Sequence, residues 1–219
     1  MKETPTIKRE IQMNVQEIME SDDFKRCEDF HGHVCGGLAI GYIAATAGLE
    51  WLREKRALDE ELVAIVETDA CCVDAIQVLT GCTFGKGNLL YRDYGKMGFT
   101  FFNRRTGQGV RLAMKPDTFR VNERQIALFK KTRDGGITDA EAAELESLGI
   151  QRTAEVLGTR AEDLFSITPV SAGMPAKARI EPSTPCARCG EPTMASKLAS
   201  VEGQSVCRGC LTEDKLGAF

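Results

Sequence analysis

The sequence predicts an α+β fold: a core domain of mixed helices and strands, followed by a small zinc-ribbon-like domain. Stretches with helical periodicity alternate with β-branched runs over most of the chain, which is typical of helices packed on a sheet. Two cysteine pairs stand near its end, at the spacing of a small metal-stabilised domain. The 219 residues suffice for one good-sized domain and an appendage. We therefore expect a core over residues 1–170, a proline-rich linker over 171–185 and a four-cysteine domain over 186–219.

Two helices are predicted near the beginning of the chain. Apolar residues at helical spacing indicate an amphipathic helix from Thr6 to about Glu20. A long uncharged segment indicates a buried helix from Gly36 to about Lys55. Small residues stand four apart in this second helix, which lets another stretch of backbone approach one face closely; they are Gly37, Gly41 and Ala45.

Strands and further helices are predicted in the middle of the chain. The β-branched run Leu62–Val66 indicates a buried strand. Residues 73–79 are expected to be helical, with Asp74 favourably placed in the first turn against the helix dipole. The remaining elements, in order, are a loop over 81–88, a hairpin of 99–102 with 110–114, a helix over 122–131, and a helix that begins at the capping box of Thr138 and Glu141.

Composition limits the classes of function. The formal net charge is -4 and the basic residues are scattered, which argues against a protein held mainly by nucleic-acid phosphates. The amino terminus has no apolar run of the secretory kind, so we expect a cytoplasmic protein with reduced thiols. The longest uncharged stretch, residues 34–49, is shorter than the roughly 20 apolar residues that span a bilayer. The cysteines are therefore expected to bind metal or to react rather than to form disulfides.

The four cysteines near the end of the chain predict a structural zinc site. Two Cys-x2-Cys pairs separated by 17 residues match the spacing of four-cysteine zinc domains. A closed shell of four thiolates has no open position for substrate, so its role is to fold a segment too short for a core of its own. The predicted ligands are Cys186, Cys189, Cys207 and Cys210.

A second concentration of soft ligands lies near the beginning. Both histidines stand in Phe30-His-Gly-His-Val-Cys-Gly-Gly37. The two-residue spacing of His33 and Cys35 lets both side chains reach one face of an extended segment, and Cys71 or Cys72 could add a ligand. Three protein ligands and a water would form an open, Lewis-acidic centre.

Other roles stay open around this predicted centre. Cys27, Cys72 and Cys82 could equally be small buried apolar residues. In one straight helix Cys71 and Cys82 would stand about 16 Å apart, so either the chain folds back near Gly81 or Cys82 serves the pocket in another way. His31 could be a ligand, a base behind the ligands or a buried hydrogen-bonding residue.

The loop over 81–88 only partly resembles a phosphate-binding loop. Its glycine spacing is short by one residue, no Ser or Thr follows Lys86, and a helix rather than a strand precedes it. Lys86 and the neighbouring amides could still hold an anionic cofactor, although a plain loop needs no ligand. Arg104 and Arg105, at the tip of the predicted hairpin, are expected to be solvated charges.

Three ordered motifs carry a resemblance to a known family. They are Phe30-His-Gly-His-Val-Cys-Gly-Gly-Leu-Ala-Ile-Gly41, then Thr68-Asp-Ala-Cys71 with Val73-Asp-Ala-Ile-Gln77, then Thr80-Gly-Cys-Thr-Phe-Gly-Lys-Gly-Asn88. Together they resemble the FmdE family, which takes its name from a component of formylmethanofuran dehydrogenase and in which a cysteine zinc finger often follows the core. The likeness covers roughly the first two-thirds of the chain.

The resemblance implies an α+β core, a pocket lined by the His/Cys motifs, and a homodimer. It implies His33, Cys35 and Cys71 as metal ligands, with His31, Asp74 and Cys82 close by. The family name implies association with the other components of a molybdenum or tungsten enzyme that reduces carbon dioxide to a formyl group. Because members also occur outside methane-forming organisms, the name is a weak guide to the reaction.

Two hypotheses of different class follow. In the first, a divalent metal ion in the core pocket, zinc by ligand type, acts in or beside a molybdenum or tungsten formyl-transfer redox system, with His31 and Asp74 as catalytic groups and His31 as proton carrier. Cys82 is kept as a further candidate ligand. In the second, the protein is a non-catalytic adaptor or metal-delivery protein whose zinc finger docks a partner. Nucleic-acid binding through the finger rests on analogy alone.

Overall fold

The structure is a computed structural model that describes residues 14–118 and 123–212. Most of the predicted helix from Thr6 to Glu20 therefore lies outside the described residues, and so does Asn122. The chain divides into two compact units, Met1–Lys177 and Ala178–Phe219. Among the described residues, no helix is both long enough and apolar enough to cross a membrane.

Helices and strands alternate along the first unit. Its helices are α1 (Val15–Glu20), α2 (Asp22–His31), α3 (Gly36–Leu52), α4 (Cys72–Thr80), α5 (Glu123–Arg133), α6 (Asp139–Leu157) and α7 (Ala161–Leu164). Its strands are β1 (Leu62–Val66), β2 (Leu89–Tyr91), β3 (Gly98–Asn103), β4 (Gly109–Met114) and β5 (Phe165–Val170). The mixed helix and sheet architecture confirms the predicted α+β class. The capping box that begins α6 at Thr138 is present, with its side chain accepting from the Glu141 amide.

The five strands form one mixed sheet in the order β2-β1-β3-β4-β5. β1 pairs in parallel with β2, and every other pairing is antiparallel. The predicted hairpin is β3 with β4, in which Phe101 faces Val110 across the ladder. All five residues of β1 are buried, so β1 lies in the middle of the core and leads the chain to Cys71.

Helix α3 is the central helix of the core. Leu38, Ala39 and Ile40 are fully buried in it, and so are residues of every turn that follows. Its small residues permit close approach, as the sequence predicts: a Cβ placed on Gly41 would lie 2.0 Å from the carbonyl oxygen of Cys72, and one on Gly48 would lie 2.4 Å from the Phe101 ring. Glycine at position 41 therefore lets α3 touch the backbone of α4.

Two strands have no counterpart among the predicted elements. β5 occupies residues 165–170, immediately before the predicted linker, and it pairs along the whole of β4. Pro169 is tolerated there because β5 is an edge strand of the sheet, where the lost N–H is not needed by a neighbour. β2 has only three residues, too few for a pattern of alternation to reveal.

The expectation that Arg104 is a solvated charge is wrong. Its guanidinium donates to the carbonyl oxygens of Pro175 and Ala176 at 2.6 and 3.0 Å, and its side chain is only 12% exposed. The chain after β5 supplies these acceptors, so the residues up to Lys177 stay with the first unit. Arg105 is exposed at 78% but pairs with Glu54 at 2.7 Å.

The second unit consists of two short hairpins. Its elements are β6 (Ser183–Pro185), β7 (Pro192–Met194), a 3-10 turn (Ala195–Lys197), β8 (Leu198–Val201), β9 (Gln204–Cys207) and α8 (Arg208–Leu211). β6 pairs with β7, and β8 with β9, both antiparallel. Among its described residues only Cys186 and Val206 are buried apolar side chains, so apolar burial contributes little to its fold.

Candidate metal centres

Four cysteine sulfurs converge in the second unit. The sulfurs of Cys186, Cys189, Cys207 and Cys210 all lie within 4.8 Å of one another. The Cys186–Cys210 and Cys189–Cys207 separations are 4.0 and 3.9 Å. Tetrahedral zinc with Zn–S bonds of about 2.3 Å places sulfurs about 3.8 Å apart. The grouping therefore has the dimensions of a four-thiolate metal shell.

The backbone around Cys186 favours its thiolate form. The amide groups of Arg188 and Cys207 donate to the Cys186 sulfur at 3.4 and 3.3 Å. Amide hydrogen bonds, those attributed to Cys189 and Cys207 being the strongest, lower the pKa of Cys186 to about 6. This cysteine is thus ready to bind a cation at neutral pH, because the thiolate is the ligand form.

Three side chains from three separate segments meet in the first unit. One ligand atom each of His31, Cys35 and Cys71 lies within 4.8 Å of the other two. His31 is the last residue of α2, and Cys35 and Cys71 are the residues that precede α3 and α4. The nitrogen-to-sulfur distance from His31 Nε2 to Cys35 Sγ is 3.7 Å, close to the about 3.6 Å expected across a tetrahedral zinc ion.

Asp74 orients the imidazole of His31. Its Oδ2 lies 2.7 Å from His31 Nδ1, so the carboxylate accepts the Nδ1–H and leaves the Nε2 lone pair directed towards Cys35. A carboxylate behind a metal-binding histidine is the usual arrangement, because it fixes the tautomer and the ring orientation. The His31 side chain is 11% exposed and that of Asp74 is 32% exposed, so the pair is largely shielded from water.

The helix starts act on the two sulfurs in different ways. Cys35 Sγ accepts the amide of Leu38 at 3.4 Å as the N-cap of α3. Burial raises the pKa of the Cys71 thiol, and the nearby Cys35 sulfur raises it further. Two thiols that raise each other's proton affinity are a suitable pair for a cation, which removes the repulsion between the thiolates.

The two histidines differ from the predicted arrangement. His31, expected to be the proton carrier, is in the ligand group, whereas His33 is not among the three grouped residues. Helix α2 continues through His31, and Gly32 then turns the chain with φ of 91°, so the segment is not extended from residue 31 to 35. His33 is exposed, and its ring centre lies 4.4 Å from that of His31.

Cys82 lies at the other end of α4 from the ligand group. The helix is unbroken from Cys72 to Thr80, which separates its ends by about 12 Å. Cys82 is fully buried, its amide donates to Thr80 Oγ1 at 3.0 Å, and burial raises the pKa of its thiol to about 11. The prediction that Cys82 adds a ligand is corrected for this reason. Cys27 and Cys72 are also fully buried apolar residues.

The glycine loop after α4 is fastened from within. Asn88 is fully buried; its amide donates to the carbonyl oxygens of Leu62 and Asp59, and its Oδ1 accepts from the Thr83 amide. Lys86 Nζ lies 3.3 Å from the Asp59 carbonyl oxygen. The motif therefore has a structural function at Asn88, and anion binding by Lys86 stays a prediction.

A groove runs beside the core ligand group. It has a volume of about 720 Å³ and lies between α1, the end of α2, α5 and α6. His33, Val34 and Cys35 form one end of its lining, so one sulfur-bearing residue of the ligand group is on the groove wall. The sequence does not reveal this groove, because α5 and α6 are far from the His/Cys motif along the chain.

Fold and site together define an α+β protein with two clusters of side chains able to hold a metal ion. The family described as "FmdE, Molybdenum formylmethanofuran dehydrogenase operon" matches residues 30–166, and the chain belongs to this family. A "Probable S-adenosyl-L-methionine-binding protein" of Archaeoglobus fulgidus is 30% identical over 79% of the chain and 49% of its own length. The chain thus spans about half the length of that relative.

A solved structure shares the fold. It is an FmdE-like protein of the tungsten formylmethanofuran dehydrogenase type from Syntrophus aciditrophicus, with a TM-score of 0.57 and 22% sequence identity. The similarity covers 92% of this chain and 94% of the other. At this identity the likeness concerns the fold.

Proposed function

We propose that this protein holds a divalent metal ion, zinc by the softness of its ligands, between His31, Cys35 and Cys71. The observation that carries the proposal is the convergence of their three ligand atoms within 4.8 Å, backed by the carboxylate of Asp74. Three protein ligands leave one position of a tetrahedron open, which is the arrangement of catalytic rather than structural zinc. A second, structural zinc ion is proposed for the four cysteines of the tail.

The chemistry proposed for the core site follows from that open position. A bound divalent ion there would polarise a substrate oxygen or lower the pKa of a water. Asp74 holds the His31 ring in place, so neither residue is available as an independent acid or base. His33, exposed beside the ring of His31 and on the groove wall, is the residue we assign as proton carrier.

We further infer that the protein acts in or beside a molybdenum or tungsten formyl-transfer redox system. The family description, which names the operon of a molybdenum formylmethanofuran dehydrogenase, supports this. The test is gel filtration of the protein with a purified molybdenum or tungsten formylmethanofuran dehydrogenase, with co-elution as the expected result. Separate elution, together with unchanged dehydrogenase activity, would contradict the inference.

Metal analysis of the purified full chain tests the core site. We expect two metal ions per chain, falling to one in the Cys35→Ser and His31→Ala variants, because each removes one of three ligands. Two matched variants serve as controls. Cys82→Ala and His33→Ala should both keep two ions, since these residues stand outside the ligand group. Loss of an ion in either control, or its retention in Cys35→Ser, would refute the assignment.

Asp74→Ala is expected to weaken metal binding at the core site by about 10- to 100-fold, because the His31 ring loses the acceptor that fixes its tautomer. Asp74→Asn should fall between the two, since an amide oxygen can still accept the Nδ1–H. Competition titration with a chromophoric chelator measures the affinity. Asp69→Ala, which removes an exposed carboxylate from the same loop, is the control and should leave the affinity unchanged.

A second candidate function is metal delivery to a partner. Cys35 and Cys71 are each partly exposed, so an acceptor protein could reach the ion. In that case a chelator should remove the core ion within seconds to minutes, and none of the formyl compounds tested should turn over. Slow release together with turnover would favour the catalytic function.

A further inference from the structure

The groove beside Cys35 offers far more space than a metal ion needs. Its volume of about 720 Å³ falls within the about 300–1,000 Å³ of small-molecule sites. The groove and the ligand group share Cys35. A molecule lying in the groove would therefore have one end next to the proposed ion.

The groove wall is mainly apolar. Large apolar side chains come from four segments of the first unit: Met19, Val34, Phe129, Leu145 and Ile150. Phe129 and Ile150 are 55% and 50% exposed, although burial would stabilise both. Exposed apolar surface concentrated in a concave site is typical of ligand binding.

The charged groups of the wall have one sign. Glu28 and Glu146 contribute carboxylates, and none of the described residues that line the groove is Lys or Arg. An anionic group placed here would meet like charge in a partly dehydrated site, whereas a neutral or cationic group would not.

From this combination we propose that the groove binds an elongated organic molecule with an apolar body, a neutral or cationic far end, and one donor atom that reaches the core metal ion. This assignment rests on the proposed core metal and names the class of ligand that the same site takes. The apolar body contacts Phe129, Leu145 and Ile150, and the far end faces the carboxylates.

A series of hexanethiols tests the ligand class on the full chain loaded with cobalt(II) under argon. The thiol supplies the donor atom, the chain the apolar body, and the far end an ammonium, hydroxyl or carboxylate group. Ligand-field absorption reports coordination at the core site, and the four-cysteine site cancels in the difference between spectra with and without thiol. We expect aminohexanethiol to bind about tenfold tighter than cysteamine, which lacks the longer apolar chain, and about fivefold tighter than mercaptohexanoate.

Gly149 provides a variant that fills the groove. It lies on α6 and lines the groove, and a Cβ built on it meets no atom within 4 Å. Gly149→Phe should therefore fold normally, keep both metal ions and bind aminohexanethiol at least about tenfold more weakly. Ser147→Phe, an exposed position of the same helix outside the groove, carries the same side chain and should bind as the unmodified chain does.

The outcomes separate this proposal from the one beneath it. If the core ion is present but affinity is indifferent to chain length and charge, or falls equally in Ser147→Phe, the ligand class is wrong and the metal site stands. If the unmodified protein is a dimer that Gly149→Phe dissociates, with no response to any thiol, the groove is an interface between two copies of the chain and the ligand proposal is overturned. Absence of the core ion would overturn both proposals.

Discussion

Cys189→Ser is expected to remove one metal ion per chain and to unfold the second unit while the first stays folded. The unit has two buried apolar side chains among its described residues, so metal binding must supply most of its folding free energy. Structural zinc in small domains contributes about 10–16 kcal/mol, far more than a small apolar cluster does. Amide proton spectra of the full chain, together with metal analysis, measure both effects.

The reciprocal variant completes this test. Cys35→Ser should lose the core ion and leave the dispersed amide signals of residues 183–211 unchanged. A second unit that keeps its spectrum after Cys189→Ser, or after chelation, would show that the unit folds without metal. That result would contradict a structural role for the four-cysteine group.

Gly41→Ala should lower the free energy of unfolding of the first unit by about 3 kcal/mol, although alanine is the better helix former. The added Cβ would lie 2.0 Å from the Cys72 carbonyl oxygen, so α3 and α4 must separate. Since Cys35 and Cys71 precede these two helices, the same shift should weaken metal binding at the core site. Denaturant unfolding and chelator competition measure the two effects.

Gly149→Ala is the matched control for Gly41→Ala. Both glycines lie within long helices, but a Cβ on Gly149 meets open space. This variant should therefore stabilise the protein by about 1 kcal/mol. Equal effects of the two substitutions would mean that the contact between α3 and α4 does not limit stability.

The elements of the core were predictable where one physical signal dominates. Periodicity and small residues identify α3, and the continuous β-branched run identifies β1. The close approach of Gly41 to another backbone also follows from the spacing. In contrast, β5 could not be recognised from the sequence, because Pro169 and exposed alternate residues hide an edge strand whose pairing partner is distant in the chain.

The site was predictable in its composition but not in its geometry. Cys35 and Cys71 are grouped as the sequence suggests, and so are the four tail cysteines. The choice between the two histidines depended on the backbone between residues 31 and 35. Helix α2 ends at His31 and a left-handed Gly32 follows, so His33 lies beyond the turn although it is nearer to Cys35 in the sequence. A glycine after the last helical residue was the available signal.

The core ligands also impose an order on biosynthesis. His31 and Cys35 leave the ribosome well before Cys71, and the chain between them must first form α3 and β1. Because Cys71 is held in position through the contact of α3 with α4, a nascent chain that ends before α4 lacks both the third donor and the frame that orients it. Metal insertion at this site is thus a late, post-folding event, and the tail ion can be acquired independently once its own four cysteines have been translated.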